Sequence, residues 1–286
     1  MEKLLLGLIG AGVQSSLAAA LHEEEGRHHG LQVDYRLMDL DAQAAGVAAL
    51  PDVVRDVRAL GFAGVNVTHP CKQTIIALLD AVSPEVVAIG AVNTVVREGE
   101  RLVGHNTDGS GWTWGFERAL PRADLSQVVL LGAGGAGAAC ADALLRLGAS
   151  RLVVVDKDPA HAAALVARLN AHATGARARA SEDLAAAMQA ATGFVHATPV
   201  GSAKMPGLPL PAGLLRSSMW VSEVVHRPLE TQLVRAARRA GCAVADGGHM
   251  NVGQAIGSFR LFTGRDADAS RMEAHFRKHA ERKETA

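Results

Sequence analysis

The four apolar residues Val128–Leu131 run straight into Gly132-Ala133-Gly134-Gly135-Ala136-Gly137, and from there into an alanine-rich stretch with helical spacing. Few features constrain a fold so tightly. A buried strand must end in a sharp turn, and a helix must begin within a residue or two of it. The first glycine permits the turn, the second lets a pyrophosphate approach the backbone, and the third lets helix and strand pack closely. The helix start then offers unpaired N–H groups and partial positive charge to an anion. Asp156 closes the next apolar run, Arg151-Leu152-Val153-Val154-Val155, where a carboxylate can accept hydrogen bonds from the hydroxyls of an adenosine ribose. It would also repel a 2′-phosphate, by roughly 4 kcal/mol at about 4 Å and an effective dielectric near 20. Even about 1–2 kcal/mol, after solvent screening, favours NAD by about ten-fold. Lys157 pulls weakly the other way, and Asp158 reads as a cap for the helix opened by Pro159. Gly132, Ala133, Gly134, Gly135, Ala136, Gly137 and Asp156 are therefore expected to hold a dinucleotide, with NAD preferred to NADP.

Strand-like and helix-like patterns alternate on both sides of that turn. Leu4–Ile9, Val33–Leu37 and Gly64–Val67 read as strands, with helices over Ser16–Gly26, Pro51–Leu60 and Cys71–Leu79. Val92–Val96 and Arg101–Gly104 bracket Glu98-Gly99-Glu100, a hairpin signal. Past Asn106 a second series begins: helices over Trp112–Leu120, Gly135–Leu147 and Pro159–Asn170, strands over Val128–Leu131 and Leu152–Val155. Phe194–Ala197, Met219–Val225 and Ala243–Ala245 read as its later strands, with a basic helix at Glu230–Ala240. Gly253–Phe262 and Ser270–Ala280 look helical, and Glu281–Ala286 reads as a solvated tail. The 286 residues, at roughly 150 per domain, allow two domains. Repeated βα units predict parallel sheets, so the expected fold is two α/β domains joined near residue 105.

Composition removes several classes of function. Lys plus Arg and Asp plus Glu both total 29, a net charge of +0, which excludes a chain-wide grip on nucleic acid or anionic membrane. Aromatic residues at 3% leave few platforms for stacking unpaired bases. Cys71, Cys140 and Cys242 are scattered, with no CxxC pair, and read as reduced thiols; neither a disulfide framework nor a metal site is expected. The apolar start is short and broken by Gly7, so it reads as a buried first strand rather than a leader. No apolar stretch approaches the roughly eighteen residues of a membrane span. The expectation is a soluble cytoplasmic protein without nucleic-acid or membrane partners.

A nicotinamide cofactor implies hydride transfer, and the oxidised alcohol must also lose a proton to a base within hydrogen-bond reach. Candidates lie in Asn66-Val67-Thr68-His69-Pro70-Cys71-Lys72 and His105-Asn106-Thr107-Asp108-Gly109. Together with Gly90-Ala91-Val92-Asn93-Thr94, Ala197-Thr198-Pro199, Asp246-Gly247 and Gln254, these segments resemble the shikimate/quinate dehydrogenase family, in its order and across nearly the whole chain. Asp156 and Phe259–Gly264 look most like its NAD-dependent quinate/shikimate branch.

The resemblance implies a substrate domain over 1–105 completed by 250–286, and a Rossmann-type NAD-binding domain over 106–249. It implies a Lys72–Asp108 acid/base dyad, with Asn93 and Gln254 on ring hydroxyls and Thr68 and Ser16 on the substrate's oxygens. Thr198, Pro199, Gly247 and the backbone of Val224 would lie along the cofactor. The partner would be a small cyclic hydroxy acid; a homodimer stays open.

Two departures touch the carboxylate grip: Ser16-Leu17-Ala18-Ala19 lacks the family's second hydroxyl and its Pro, and His226 stands where the family has Tyr. Two lost hydrogen bonds to a charged group are worth about 3–6 kcal/mol, which a protonated His226 could restore. Two alternatives use the same residues: the same chemistry on another cyclic polyol, amino-substituted or lacking the carboxylate, and a non-catalytic NAD-binding regulator. Intact Lys72 and Asp108 argue against the second.

Overall fold

Strand residues alternate between faces, so Leu4, Leu6 and Leu8 cover one side of the first strand and Leu5 and Ile9 the other. Both sides need partners, and both have them. The computed structural model describes residues 2–172 and 177–284. The chain divides into two compact units, one of residues 1–107 with 254–279, the other of 108–253 with the chain's end.

The first unit contains β1 (Glu2–Gly10), α1 (Ala18–His28), β2 (Leu31–Asp39), α2 (Leu50–Ala59), β3 (Gly64–Val67), β4 (Ala81–Val82), α3 (Pro84–Ile89), β5 (Thr94–Glu98) and β6 (Arg101–His105). Its sheet runs β2-β1-β3-β5-β6-β4. Parallel pairing joins β1 to β2 and β3, while β5 pairs antiparallel with β3 and β6. The hairpin thus makes the sheet mixed, with Gly99 in its turn at φ +63°. Ile9, Val65, Val67 and Val95 pack with Val54, Val57 and Phe62 on one face. Leu6, Leu8 and Tyr35 pack with Phe262 on the other.

The second unit contains α4 (Asp108–Ala119), β7 (Val128–Leu131), α5 (Gly135–Arg146), β8 (Leu152–Val155), α6 (Pro159–His172), β9 (Ala178–Ala180), α7 (Leu184–Gln189), β10 (Gly193–His196), β11 (Trp220–Glu223), α8 (Gln232–Arg239) and β12 (Ala243–Ala245). Its six strands are all parallel, in the order β12-β11-β10-β7-β8-β9. The chain moves outward from β7 to β9, returns beside β7 as β10 and moves out the other way. That reversal is the switch point of a doubly wound, Rossmann-type sheet, where a crevice opens at the carboxyl ends of the strands. Val129, Val153, Phe194 and Val221 pack with Met188 and Leu233 in its core. Then α9 (Gly247–Thr263) and α10 (Ala269–Glu284) close the chain. Among the described residues no helix is long and apolar enough to cross a membrane.

The α/β class holds, but some elements differ from expectation. Cys71–Leu79 is not an α-helix: it is a turn followed by a 3-10 helix at Thr74–Leu78. Thr74, Ile75 and Ile76 are β-branched and poor at continuing a helix, and one turn suffices to bury Ile75. The expected tail at 281–286 is helical through Glu284, with 285 and 286 outside the described residues.

His22 on α1 is fully buried in the first unit, stacked 5.2 Å from Tyr35 and 6.2 Å from Phe259. Burial pushes its imidazole down to about 4, against a smaller upward pull from Glu25. The folded state therefore holds a neutral ring where the unfolded chain binds a proton. Stability on this account is intact above about pH 6.5 and declines as pH falls toward 4, by about 3 kcal/mol in total. His22→Phe keeps the stacking and removes the titration. Denaturant unfolding between pH 7 and 4 should show a shallower loss in the variant; identical pH slopes would remove His22 from the account.

Candidate active site

In the second unit, Gly132 leaves β7 at φ +110°, a value that L side chains rarely adopt. A Cβ on Gly137 would collide with the carbonyl oxygen of Gly132, so the helix can lie this close only with glycine there. A Cβ on Gly134 would meet nothing within 4 Å, so bare backbone faces open space at the start of α5. The first-turn amides of Gly135 and Ala136 have no carbonyl one turn back to bond. Gly132–Gly137 therefore fits a pyrophosphate: an exposed cradle, close backbone and a helix start.

Asp156 follows β8 and braces this turn. Its Oδ2 accepts from the Ala133 amide at 2.7 Å and its Oδ1 from the Asp158 amide at 3.0 Å. A carboxylate has about four acceptor positions, so each oxygen keeps one for a ribose hydroxyl. Asp158 in turn accepts from the Ala160 amide at 3.0 Å at the start of α6, as its sequence position suggested.

Across the switch point, Thr198 and Pro199 follow β10, and a Cβ on Gly132 would come within 3.0 Å of Thr198 Cγ2. Val224 follows β11, its amide donating to the His196 carbonyl at 3.0 Å. Gly247 opens α9, where a Cβ would strike the Val225 carbonyl oxygen. His226 is half-buried in the same unit, and Asp108 is the buried first residue of α4.

In the first unit, the expected substrate residues stand on strand ends and the turns after them. Asn93 is buried; its Nδ2 donates to Thr107 Oγ1 at 2.9 Å and lies 3.4 Å from Gln254 Oε1. Its Oδ1 accepts from the Thr107 amide at 2.8 Å. The Thr107 hydroxyl donates to the Gln254 carbonyl at 3.0 Å, tying α9 to the strand ends. The Lys72 carbonyl accepts from the Val92 amide at 2.7 Å, placing the lysine's backbone beside the residue before Asn93. Thr68 follows β3, its amide held by the Ile9 carbonyl at 2.9 Å. Ser16 Oγ accepts from the Ala18 amide at 3.1 Å at the start of α1. The loop before it is tied down by Asp39, whose Oδ1 accepts from the Gly12 amide at 2.8 Å. Burial alone would raise that carboxyl, but the amides of Gly12, Asp41, Gln14 and Val13 outweigh it and hold it below the ordinary range.

Within the first unit the structure thus joins Asn93 to Gln254 and sets Lys72's backbone against Val92. Thr107 was missed as the link between them, although it sits inside the His105–Gly109 segment. Asn66 was quoted in a motif but given no role; it accepts from the Tyr35 hydroxyl at 2.8 Å and donates to Thr94 Oγ1 at 3.2 Å. Among the described residues no group of three or more His, Cys, Asp or Glu is arranged to hold a metal ion.

The family model for the shikimate dehydrogenase substrate binding domain matches residues 8–95. Over 275 residues the chain is 54% identical to the shikimate dehydrogenase (NADP(+)) of Streptomyces avermitilis, covering 96% of this chain and 94% of that one. It is 42% identical over 281 residues to the quinate/shikimate dehydrogenase (NAD(+)) of Corynebacterium efficiens, with 96% and 98% covered. The solved quinate dehydrogenase from Corynebacterium glutamicum in complex with NAD matches with a TM-score of 0.90 at 40% identity, over 97% of this chain and 100% of that one.

Proposed function

The chain belongs to the shikimate dehydrogenase family of NAD(P)-dependent oxidoreductases acting on a CH–OH group, and from that premise we propose that it interconverts a ring alcohol and ketone of a quinate- or shikimate-like acid, with NAD as its cofactor. The observation that carries the substrate reading is the linked set of Asn93, Thr107 and Gln254. Such amide and hydroxyl groups match a ring bearing several hydroxyls, which is both donor and acceptor at every position.

Bound NAD supplies the hydride acceptor for oxidation and, once reduced, the donor for the reverse. The protein's part is the proton. Lys72 takes the hydroxyl proton as the carbinol carbon gives up hydride, and returns it to the carbonyl oxygen in reduction. Asp108 orients the amine and steadies its ammonium form. Asn93, Gln254 and Thr68 hold the ring oxygens, and Ser16 with His226 takes the carboxylate, His226 replacing the missing second hydroxyl and tyrosine. Asp156 supports NAD by accepting from the ribose and repelling a 2′-phosphate. The relatives named above divide between the two dinucleotides, so the choice rests on that carboxylate.

Absorbance at the NADH band, read over a panel of cyclic alcohols with NAD and NADP, tests this. Turnover of quinate and shikimate is expected, at least ten-fold more efficient with NAD. Turnover confined to a polyol that is amino-substituted or lacks the carboxylate would replace the substrate assignment and explain Ala18 and His226 as adaptations. Dinucleotide binding without turnover of any ring alcohol would mark a regulator. Preference for NADP would overturn the role given to Asp156.

A further inference from the structure

Two of the most deeply buried polar side chains in the second unit have no part in the chemistry above. His196 ends β10 and Glu223 ends β11, aligned opposite each other in the parallel register, at 0% and 1% exposure. Two apolar residues would fill this space without the desolvation cost of a carboxylate and an imidazole.

The hydrogen bonds converge on one carboxylate. Glu223 Oε1 accepts from the amides of Val224 and Val225, each at 2.9 Å, and lies 2.8 Å from His196 Nδ1. Glu223 Oε2 accepts from the Thr231 hydroxyl at 3.0 Å. Thr231 Oγ1 itself accepts from the Val234 amide at 3.1 Å, so its single hydrogen is committed to Glu223. A carboxylate surrounded in this way only accepts, so His196 Nδ1 carries hydrogen and donates to it, which fixes the plane of the ring. Nε2 stands 2.5 Å from Thr198 Oγ1, and the Val200 amide approaches the same oxygen at 3.4 Å. The Thr198 hydroxyl is thereby held between the imidazole and the Val200 amide.

Thr198 stands at the switch point against Gly132, on the side opposite Asp156. If Asp156 takes the adenosine, the other half of the dinucleotide runs toward β10 and β11. The nicotinamide carboxamide carries both an N–H₂ donor and a carbonyl acceptor, so a hydroxyl held there can bond to it in either sense.

We infer that Glu223 and His196 are positioning residues, which fix the Thr198 hydroxyl for a hydrogen bond to the nicotinamide carboxamide. The inference rests on the dehydrogenase reading and adds to it a specific arrangement for the reactive half of the cofactor.

Fluorescence titration with NADH, against ADP-ribose, which lacks the nicotinamide, separates this from a merely structural role. His196→Phe and Thr198→Val should each weaken NADH binding about ten-fold, and the double variant no further, because both remove the same bond. ADP-ribose binding should stay within about two-fold throughout, and His196→Asn, whose amide can donate to Glu223 and accept from Thr198, should recover most of the NADH affinity. Equal loss of both nucleotides in His196→Phe, multiplying losses in the double variant, or full NADH affinity in Thr198→Val would each overturn the inference while leaving the dehydrogenase reading intact. A wild-type protein that binds neither nucleotide would overturn both. Should His196→Phe not fold, Thr198→Val and His196→Asn decide the matter between them.

Discussion

Replacing Lys72 with Ala is expected to slow ring-alcohol oxidation by about 10³-fold, within the range of general acid–base catalysis, while NADH binding stays near wild type. The amine is the group proposed to take the substrate proton, whereas the dinucleotide cradle is built on Gly132–Gly137 in the other unit. Lys72→Arg should not recover the rate, because a guanidinium stays protonated and cannot act as a base. A small primary amine added to Lys72→Ala should restore part of it. Steady-state turnover with NADH titrations alongside measures all three. Turnover within ten-fold of wild type in Lys72→Ala would remove Lys72 from the mechanism, and a matching collapse of NADH binding would make the residue structural.

The second large effect lies away from any chemistry. Glu25 on α1 is 1% exposed. It accepts from Arg271 Nε at 2.8 Å, Arg271 Nη2 at 2.7 Å and the Asp268 amide at 2.8 Å, with His29 Nε2 at 3.0 Å. These bonds fasten the start of α10 to α1. Burial pushes the Glu25 carboxyl upward, but the Arg271 guanidinium, the Asp268 amide and His29 together outweigh it and hold it below its ordinary value. Its contribution is therefore present above the usual carboxylate range and is lost as pH falls through the depressed folded value.

Arg271→Ala leaves that carboxylate buried without its guanidinium and should cost about 3–5 kcal/mol, or on the order of 10 °C in Tm. Glu25→Ala should cost less, because the Arg271 side chain is 31% exposed and can hydrate. Thermal and denaturant unfolding of both variants at pH 7 checks the order. A loss below about 1 kcal/mol in Arg271→Ala would reduce the pair to an ordinary surface contact.

The second sheet was legible at β7 and β8 because each is a run of four apolar residues followed by a turn into a helix. The strand β9 was not, since Ala178-Arg179-Ala180 at the sheet edge has no pattern to read. Nor was α7, a short alanine-rich helix whose one clear signal is Asp183, accepting from the Ala186 amide. Helix α10 outruns its expected end because Glu, Arg and Lys sustain a helix well without any apolar face.

At the site, the glycine turn was readable from its spacing together with the strand before it, the helix after it and Asp156, whereas Lys72, Asp108, Asn93 and Gln254 stood out through the family resemblance. The His196–Glu223 pair was hidden for a topological reason. Each residue closes an apolar strand, and their meeting depends on β10 and β11 being neighbours in register, which local sequence does not state. Thr107 was hidden differently, its partners lying on a distant strand end and on a helix near the other end of the chain.

Phe262, from one end of the chain, packs against Leu6 and Leu8 from the other, and Arg271 locks onto Glu25. The sheet from β7 to β12, by contrast, is drawn from a single uninterrupted stretch. During synthesis the ribosome releases that middle sheet complete while the amino-terminal one is still waiting for its last helices. The half that emerges first is thus the half that is completed last, its Leu6 and Leu8 lacking Phe262 until then.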